Sequence, residues 1–389
     1  METRTMTINM GPQHPATHGV LRIQLELDGE TVVKADPIIG YLHTGIEKTA
    51  ESKHYYKAIP LTDRMDYLAP MSNNLGFCLA VEKLLGIEIP AKAQWARVCL
   101  TELTRLNSHL VWIGTHALDI GAMSMLLYAF REREKILGIY ELVSGQRMMS
   151  TYFRLGGLAE DLPVDFEEKM RDILEDFPSK FNEYEDLLTN NPIWRNRTIG
   201  VAKISPEDAI SCGFTGPLLR ACGMKHDLRK ANPYSSYEKF DFDIPTNDGC
   251  DVYARYLVRL EEMRQSLRII RQTLDGMPEG LYRAHAPGIV LPPKEKVLTE
   301  MESLIFHFKI ITEGIHPPVG EVYQGIEGPK GELGFYIVSD GGPYPYRMRV
   351  RPPCFVHTAA LKKLCQGGLV ADVIAAIGSI DIVLGEVDR

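Results

Sequence analysis

Residues 102–120 read ELTRLNSHLVWIGTHALDI, and in them Leu103, Leu106, Leu110, Ile113, Ala117 and Ile120 recur at spacings of three and four. That period places them on one face of an α-helix, as a long apolar stripe that must pack against other elements. The helical pattern extends from about residue 66 to 190, with further helices predicted at 129–153, 165–188 and 251–276. Helices of this length bury their stripes against one another, so a bundle forms the main core. The apolar run from Leu110 to Phe130 approaches membrane-spanning length. Asp119 lies at its centre with His116 nearby, and a carboxylate there costs about 2.5–3.5 kcal/mol on insertion scales. A buried core helix in a soluble or peripheral protein is the expectation.

On the N-terminal side of the bundle, residues 20–27 alternate. Leu21, Ile23, Leu25 and Leu27 face one way, and Arg22, Gln24 and Glu26 the other. This is the period of a half-buried strand, and Asp28-Gly29 turns it into a second strand, Thr31 to Lys34. Ahead of it, GPQHPATHG (11–19) carries two prolines and its glycines at the ends, and reads as a loop. On the C-terminal side, Gly and Pro punctuate short apolar runs over 318–351, a β-ribbon before two last helices near 356–366 and 369–378. The reading is a mainly helical α+β fold. Residues 1–65 form a sheet region, 66–317 a helical bundle, and 318–389 a ribbon with closing helices.

The chain has 389 residues, 45% hydrophobic and 24% charged, as an ordinary globular protein does. A net charge of −8 argues against a nucleic-acid partner. No basic, apolar leader opens the sequence, so export is not expected. Its seven cysteines include no C-x-x-C pair. Reduced, buried thiols are expected, with no zinc or iron–sulfur site in this chain.

Several residues could carry chemistry. His14 and His18 lie four apart, but Pro15 disfavours a helix and no Cys or carboxylate joins them, so neither is expected to bind metal. Either could serve proton chemistry or be a hydrogen-bonded loop histidine. Tyr67 follows LTDRMD (61–66) at the start of an apolar helix, where a tyrosine is ordinarily an amphipathic core residue. Asp119 on its apolar stripe must be paired, hydrogen-bonded or protonated, and an arginine is the ordinary partner. These residues alone name no function.

Longer motifs do. GPQHPATHGVLR (11–22), GYLHTGIEK (40–48), PLTDRMDYLAPM (60–71), ELTRLNSHL (102–110) and DIGAM (119–123) closely resemble the 49-kDa subunit family of respiratory complex I. So do SGQRMMSTYFR (144–154), EGPKGELGFYIVSDGGPYPYRMRVRPPCF (327–355) and DIVLGEVDR (381–389), all in the family's order. That family is related to the nickel–iron hydrogenase large subunit, and the resemblance implies a hydrogenase-like fold that has lost its metal. The four metal-binding thiolate positions of the hydrogenases correspond here to Asp66, Ala69, Val383 and Glu386. Soft thiolates are what nickel and iron of that kind require, so hydrogenase activity is excluded and no metal ligands are expected.

The resemblance further implies a quinone-reducing subunit of proton-translocating NADH:quinone oxidoreductase, active only in the assembled complex. Electrons would come from a 4Fe–4S cluster in a neighbouring small subunit, this chain binding no cofactor itself. Other partners would be a 30-kDa-type subunit, a membrane-arm subunit at the quinone entrance, and quinone as substrate. The place would be the cytoplasmic side of a bacterial inner membrane, held peripherally. Tyr67 and His18 resemble the proton donors to the quinone oxygens, and Asp119 the acid that partners His18. Arg64 and Met149 resemble cluster-proximal positions, while His14 and His43 resemble cavity wall. Met149 stands where many members have histidine, which predicts a cluster potential nearly independent of pH between about 6 and 8. Thr44 stands where the resemblance implies an arginine in many members, a site modified in some of them, so any such modification is absent here. Two alternatives remain: the equivalent subunit of a ferredoxin-dependent membrane complex, or a non-catalytic scaffold.

Overall fold

The computed structural model describes residues 5–389. Its N-terminal sheet has three antiparallel strands, β1 (Met6–Met10), β2 (Arg22–Asp28) and β3 (Thr31–Ile38), in that order. Leu21, Ile23, Leu25 and Leu27 are all buried, so the alternation is the inward face of the sheet. The sheet exceeds the expected hairpin in two ways. Strand β1 adds an edge, and β3 continues to Ile38 through Pro37, which an edge strand tolerates because it has a side with no ladder to serve.

Helices α1 (Ile46–Glu51), α2 (Tyr55–Thr62), α3 (Pro70–Leu85), α4 (Ala91–Ile120), α5 (Met123–Ser144), α6 (Phe166–Leu188) and α7 (Val252–Gly276) follow, with shorter helices between the last two. The apolar run 110–130 is therefore shared between α4 and α5, and Asp119 is the penultimate residue of α4 rather than the middle of a helix. Among the described residues no helix is long and apolar enough to cross a membrane. Helix α5 starts earlier and stops earlier than 129–153. Gly145 adopts φ 74 and returns its N–H to Glu141 O at 2.8 Å, which ends the helix with a left-handed residue.

Helix α4 is the axis of the bundle, packed by α3, α5 and α7, and from Ala96 to Leu110 every residue on it is buried. The stripe is thus only half of its contact surface. Its polar face enters a dry ionic network. Glu102 accepts from the Tyr237 hydroxyl at 2.6 Å and from Arg229 Nη1 at 3.1 Å, and Arg105 Nη2 donates to Glu327 O at 2.6 Å. Glu262, on α7, accepts from Arg220 Nη2 at 2.9 Å and meets His109 Nε2 at 3.0 Å. Buried charges survive only when paired in this way.

The late β region is a three-stranded antiparallel sheet, β4 (Gly320–Gly328), β5 (Gly331–Ser339) and β6 (Arg347–Arg351). Gly328 faces Gly331, so Pro329 and Lys330 form the turn. The chain closes with α8 (Pro353–Ala359), a single turn at Leu361–Leu364, α9 (Val370–Ile380) and α10 (Leu384–Asp388). The expected helix 356–366 is broken into two short ones. Buried residues of β2 (Ile23, Leu25) share a core with Val373, Ile377 and Leu384 of the closing helices, so the two ends of the chain interlock.

Candidate functional site

The candidate site gathers around the turn Asp63–Ala69 that joins α2 to α3. Pro70 starts α3 at a position where its missing N–H is harmless, so Tyr67 lies three residues before the helix, not on it. The turn is held from below. Asn73 Nδ2 donates to Asp66 O at 3.1 Å, Asn107 Nδ2 to Leu68 O at 2.9 Å, and Leu68 N to Asp66 Oδ1 at 3.1 Å. From above, Gly385 presses on it. A β-carbon at Gly385 would stand 2.6 Å from Met65 O, so only glycine permits this approach of α10. Tyr67 is half-buried, and its hydroxyl makes no hydrogen bond to any described residue. Burial raises the pKa of its phenol, the Asp66 carboxylate raises it further, and Lys330 opposes both.

The histidine loop folds into a 3₁₀ turn, Pro15–Thr17, packed against α9. His14 caps its start, with Nδ1 accepting the Ala16 N–H at 3.2 Å. His18 closes it at φ 53 and returns its own N–H to Pro15 O at 3.2 Å. One side of His18 is open to solvent, yet the surrounding protein displaces enough water to lower its pKa, and the open side limits that effect. Asp119 is half-buried, and burial raises its pKa. The expected His18–Asp119 pair is not formed. Among the described residues no hydrogen bond or ion pair joins Asp119 to His18 or to an arginine, and the side chain that opposes the effect of burial on it is His14. His18 stands at the left-handed end of the turn and is exposed, while His14 at its start is half-buried.

His43, in the loop after β3, lies with Nδ1 2.6 Å from Asp388 O. The Asp388 carboxylate accepts from Gly40 N at 2.8 Å and Leu42 N at 2.7 Å, while Arg389 Nε reaches Glu47 at 2.9 Å. These residues wall a cavity of about 300 Å³ together with Arg349 and Phe355. Arg64 is exposed on the turn, and Met149 lies in the irregular segment after α5 at φ 50. The Thr151 hydroxyl bonds Asp63, which brings those two segments side by side. Burial lifts the pKa of Asp63 to about 6, and its other carboxylate oxygen has no partner.

The positions matched to the hydrogenase thiolates converge in space. Asp66, Ala69 and Glu386 line one small void, and Val383 N donates to Cys354 Sγ at 3.4 Å beside it. The ammonium of Lys330 enters this group, 3.0 Å from Asp66 Oδ2. No set of three or more His, Cys, Asp or Glu side chains among the described residues is arranged to hold a metal ion.

Residues 119–389 match the family described as the respiratory-chain NADH dehydrogenase 49 Kd subunit. The whole chain is similar to a D-type NADH-quinone oxidoreductase subunit of Solibacter usitatus, with 63% identity over 386 residues, covering 99% of this chain and 94% of the relative. It is 60% identical over 387 residues to the corresponding NADH-quinone oxidoreductase subunit of Geotalea uraniireducens, covering 100% and 99%. The chain belongs to the 49 kDa subunit family. As a member it is a subunit of NADH:quinone oxidoreductase, and its partners are other subunits of that complex.

Three features of this 49 kDa family member escaped the sequence reading. Lys330 sits at a Gly-Pro-Lys-Gly hairpin turn, which reads as a solvated tip. Asp63 looks like one more polar turn residue. The partners of Glu102 and Arg105 on other elements lie more than a hundred residues away, and local patterns carry no signal for them.

Proposed function

We propose that this subunit passes electrons, one at a time, from a 4Fe–4S cluster in a neighbouring small subunit to a quinone bound beside Tyr67. Reduction of the quinone takes two electrons and two protons. Tyr67 gives a proton to one quinone oxygen and His18 to the other. The lowered pKa of His18 leaves the ring neutral at pH 7, and negative charge arriving on the quinone raises that pKa and draws a proton in. Asp119 acts through His14, holding the turn that ends in His18. Arg64 and Met149 face the cluster, and His43 walls the cavity. The electrons originate from NADH in the donor module, and a 30-kDa-type subunit and a membrane-arm subunit complete the surroundings. The chain docks peripherally on the cytoplasmic side of the membrane, and the free energy of quinone reduction drives proton translocation elsewhere in the complex.

The observation that carries this reading is the Tyr67 hydroxyl. A half-buried phenol normally finds a hydrogen-bond partner, and this one has none among the described residues while its turn is fixed on both sides. It is positioned and left free. The test is Tyr67→Phe in the assembled complex, which keeps the ring and removes the donor. Quinone reductase activity is expected to drop about tenfold or more, with NADH oxidation by ferricyanide retained. Full quinone reductase activity in the variant would reduce Tyr67 to a core residue.

A further inference from the structure

Lys330 is a buried cation in contact with the turn that carries Tyr67, and the carboxylates around it favour its charged form. A lysine at a hairpin turn is ordinarily exposed, but this side chain is 1% accessible. Nζ lies 3.0 Å from Asp66 Oδ2 and 3.8 Å from Asp381 Oδ2, and it donates to Ser108 Oγ at 2.7 Å. The first two contacts are ion pairs, close to Asp66 and looser to Asp381, and the third is a hydrogen bond. They also come from three separate parts of the chain: the Tyr67 turn, the axial helix α4, and the residue after α9. Glu386 lines the same void, with one carboxylate oxygen unpartnered. Burial works against the charged ammonium, yet the Asp381 and Asp66 carboxylates hold its pKa above the ordinary lysine value.

We propose that Lys330 is a positioning residue for quinone reduction: its ammonium anchors the Asp66 turn that carries Tyr67 and stabilises the negative charge left on the Tyr67 oxygen once that phenol has given up its proton. This rests on the reading of Tyr67 as a donor. The step balances. The Tyr67 O–H bond breaks and an O–H bond forms on the quinone oxygen, the electrons come from the partner's cluster, and the phenolate regains a proton from water. Without the ammonium, the phenolate would form beside the Asp66 carboxylate without the opposing charge of Lys330.

Lys330→Met alone would leave Asp66 and Asp381 unpaired and burdens the fold. The decisive comparison is therefore D66N against D66N/K330M in the assembled complex, since the double variant removes both charges of the pair. The expected result is a kcat for quinone reduction about tenfold or more below that of D66N. The quinone KM should stay within about threefold, as for loss of an interaction made only in the transition state, and ferricyanide reduction should persist. A double variant as active as D66N would make Lys330 a structural ion-pair partner only and overturn the proposal. Where the double variant does not assemble, K330R decides. It keeps the charge and should retain most quinone reductase activity, and a tenfold loss in an assembled complex would overturn the charge argument. Tyr67→Phe separates the two readings. A fully active Tyr67→Phe complex defeats the donor reading, whereas an impaired one beside an active D66N/K330M defeats Lys330 alone.

Discussion

Asp119 at the end of α4 is electrostatically coupled to His14, whose Nδ1 accepts the Ala16 N–H at 3.2 Å, so that the ring's other nitrogen is its only donor. The two residues come from the end of α4 and the start of the 3₁₀ turn, so their coupling links α4 to the turn that ends in His18. Asp119→Asn should lower quinone reductase activity, and His14→Ala should remove much of the same contribution. Groups that act together show coupling of roughly 0.5–3 kcal/mol in a double-mutant cycle. Asp119→Asn combined with His18→Ala should come closer to additive. Activities of the single and double variants at one pH check this, and strong coupling to His18 with none to His14 would reverse the assignment.

What could be read from the sequence depended on the range of the interaction. The alternation of Leu21, Ile23, Leu25 and Leu27 and the stripe on α4 are local periods, and both are buried as expected. Gly145 is also a local stop signal, inside the helix expected at 129–153, and the structure uses it. The ionic network on α4 left no such trace. Glu102, Arg105 and His109 look like a solvated face until Arg229, Glu262 and Glu327 arrive from distant segments. Tyr67 and His18 were singled out by resemblance rather than by any pattern of their own. Lys330 was hidden because its neighbours in sequence describe a turn, and only tertiary packing reveals that the turn is inside.

The pH dependence of stability should carry the mark of Glu386. Burial and the neighbouring Asp66 carboxylate push its carboxyl from 4.5 up to about 8. A folded-state pKa above the unfolded one means the folded chain holds the proton more tightly. Its contribution is fully present below about 4.5 and is lost as pH rises towards 8. Asp381, raised to about 6 by burial, adds loss in the lower part of the same window. Glu386→Gln keeps the shape and stays neutral, so the melting temperature of the subunit in the complex should fall less between pH 6 and 8 than in the wild type. An unchanged fall in the variant would place the effect on another group.

The final expectation concerns Met149, which by the resemblance replaces a histidine of many family members and which lies at φ 50 in the segment tied to Asp63 through Thr151. A histidine near a cluster takes up a proton when the cluster is reduced, because added negative charge raises its pKa. The potential then falls by up to about 59 mV per pH unit for one electron. Methionine has no proton to exchange, so the slope should be near zero above about pH 7. Asp63 narrows the flat range of about pH 6 to 8 expected from the sequence at its acid side, since burial already lifts its pKa to about 6 and reduction of a nearby cluster raises it further. The wild type should therefore show a shallow acid-side slope that disappears in Asp63→Asn, and Met149→His should restore a slope across neutral pH. Redox titration of the cluster by EPR at several pH values measures all three. A steep slope above pH 7 in the wild type would mean that another group exchanges the proton in place of the missing histidine.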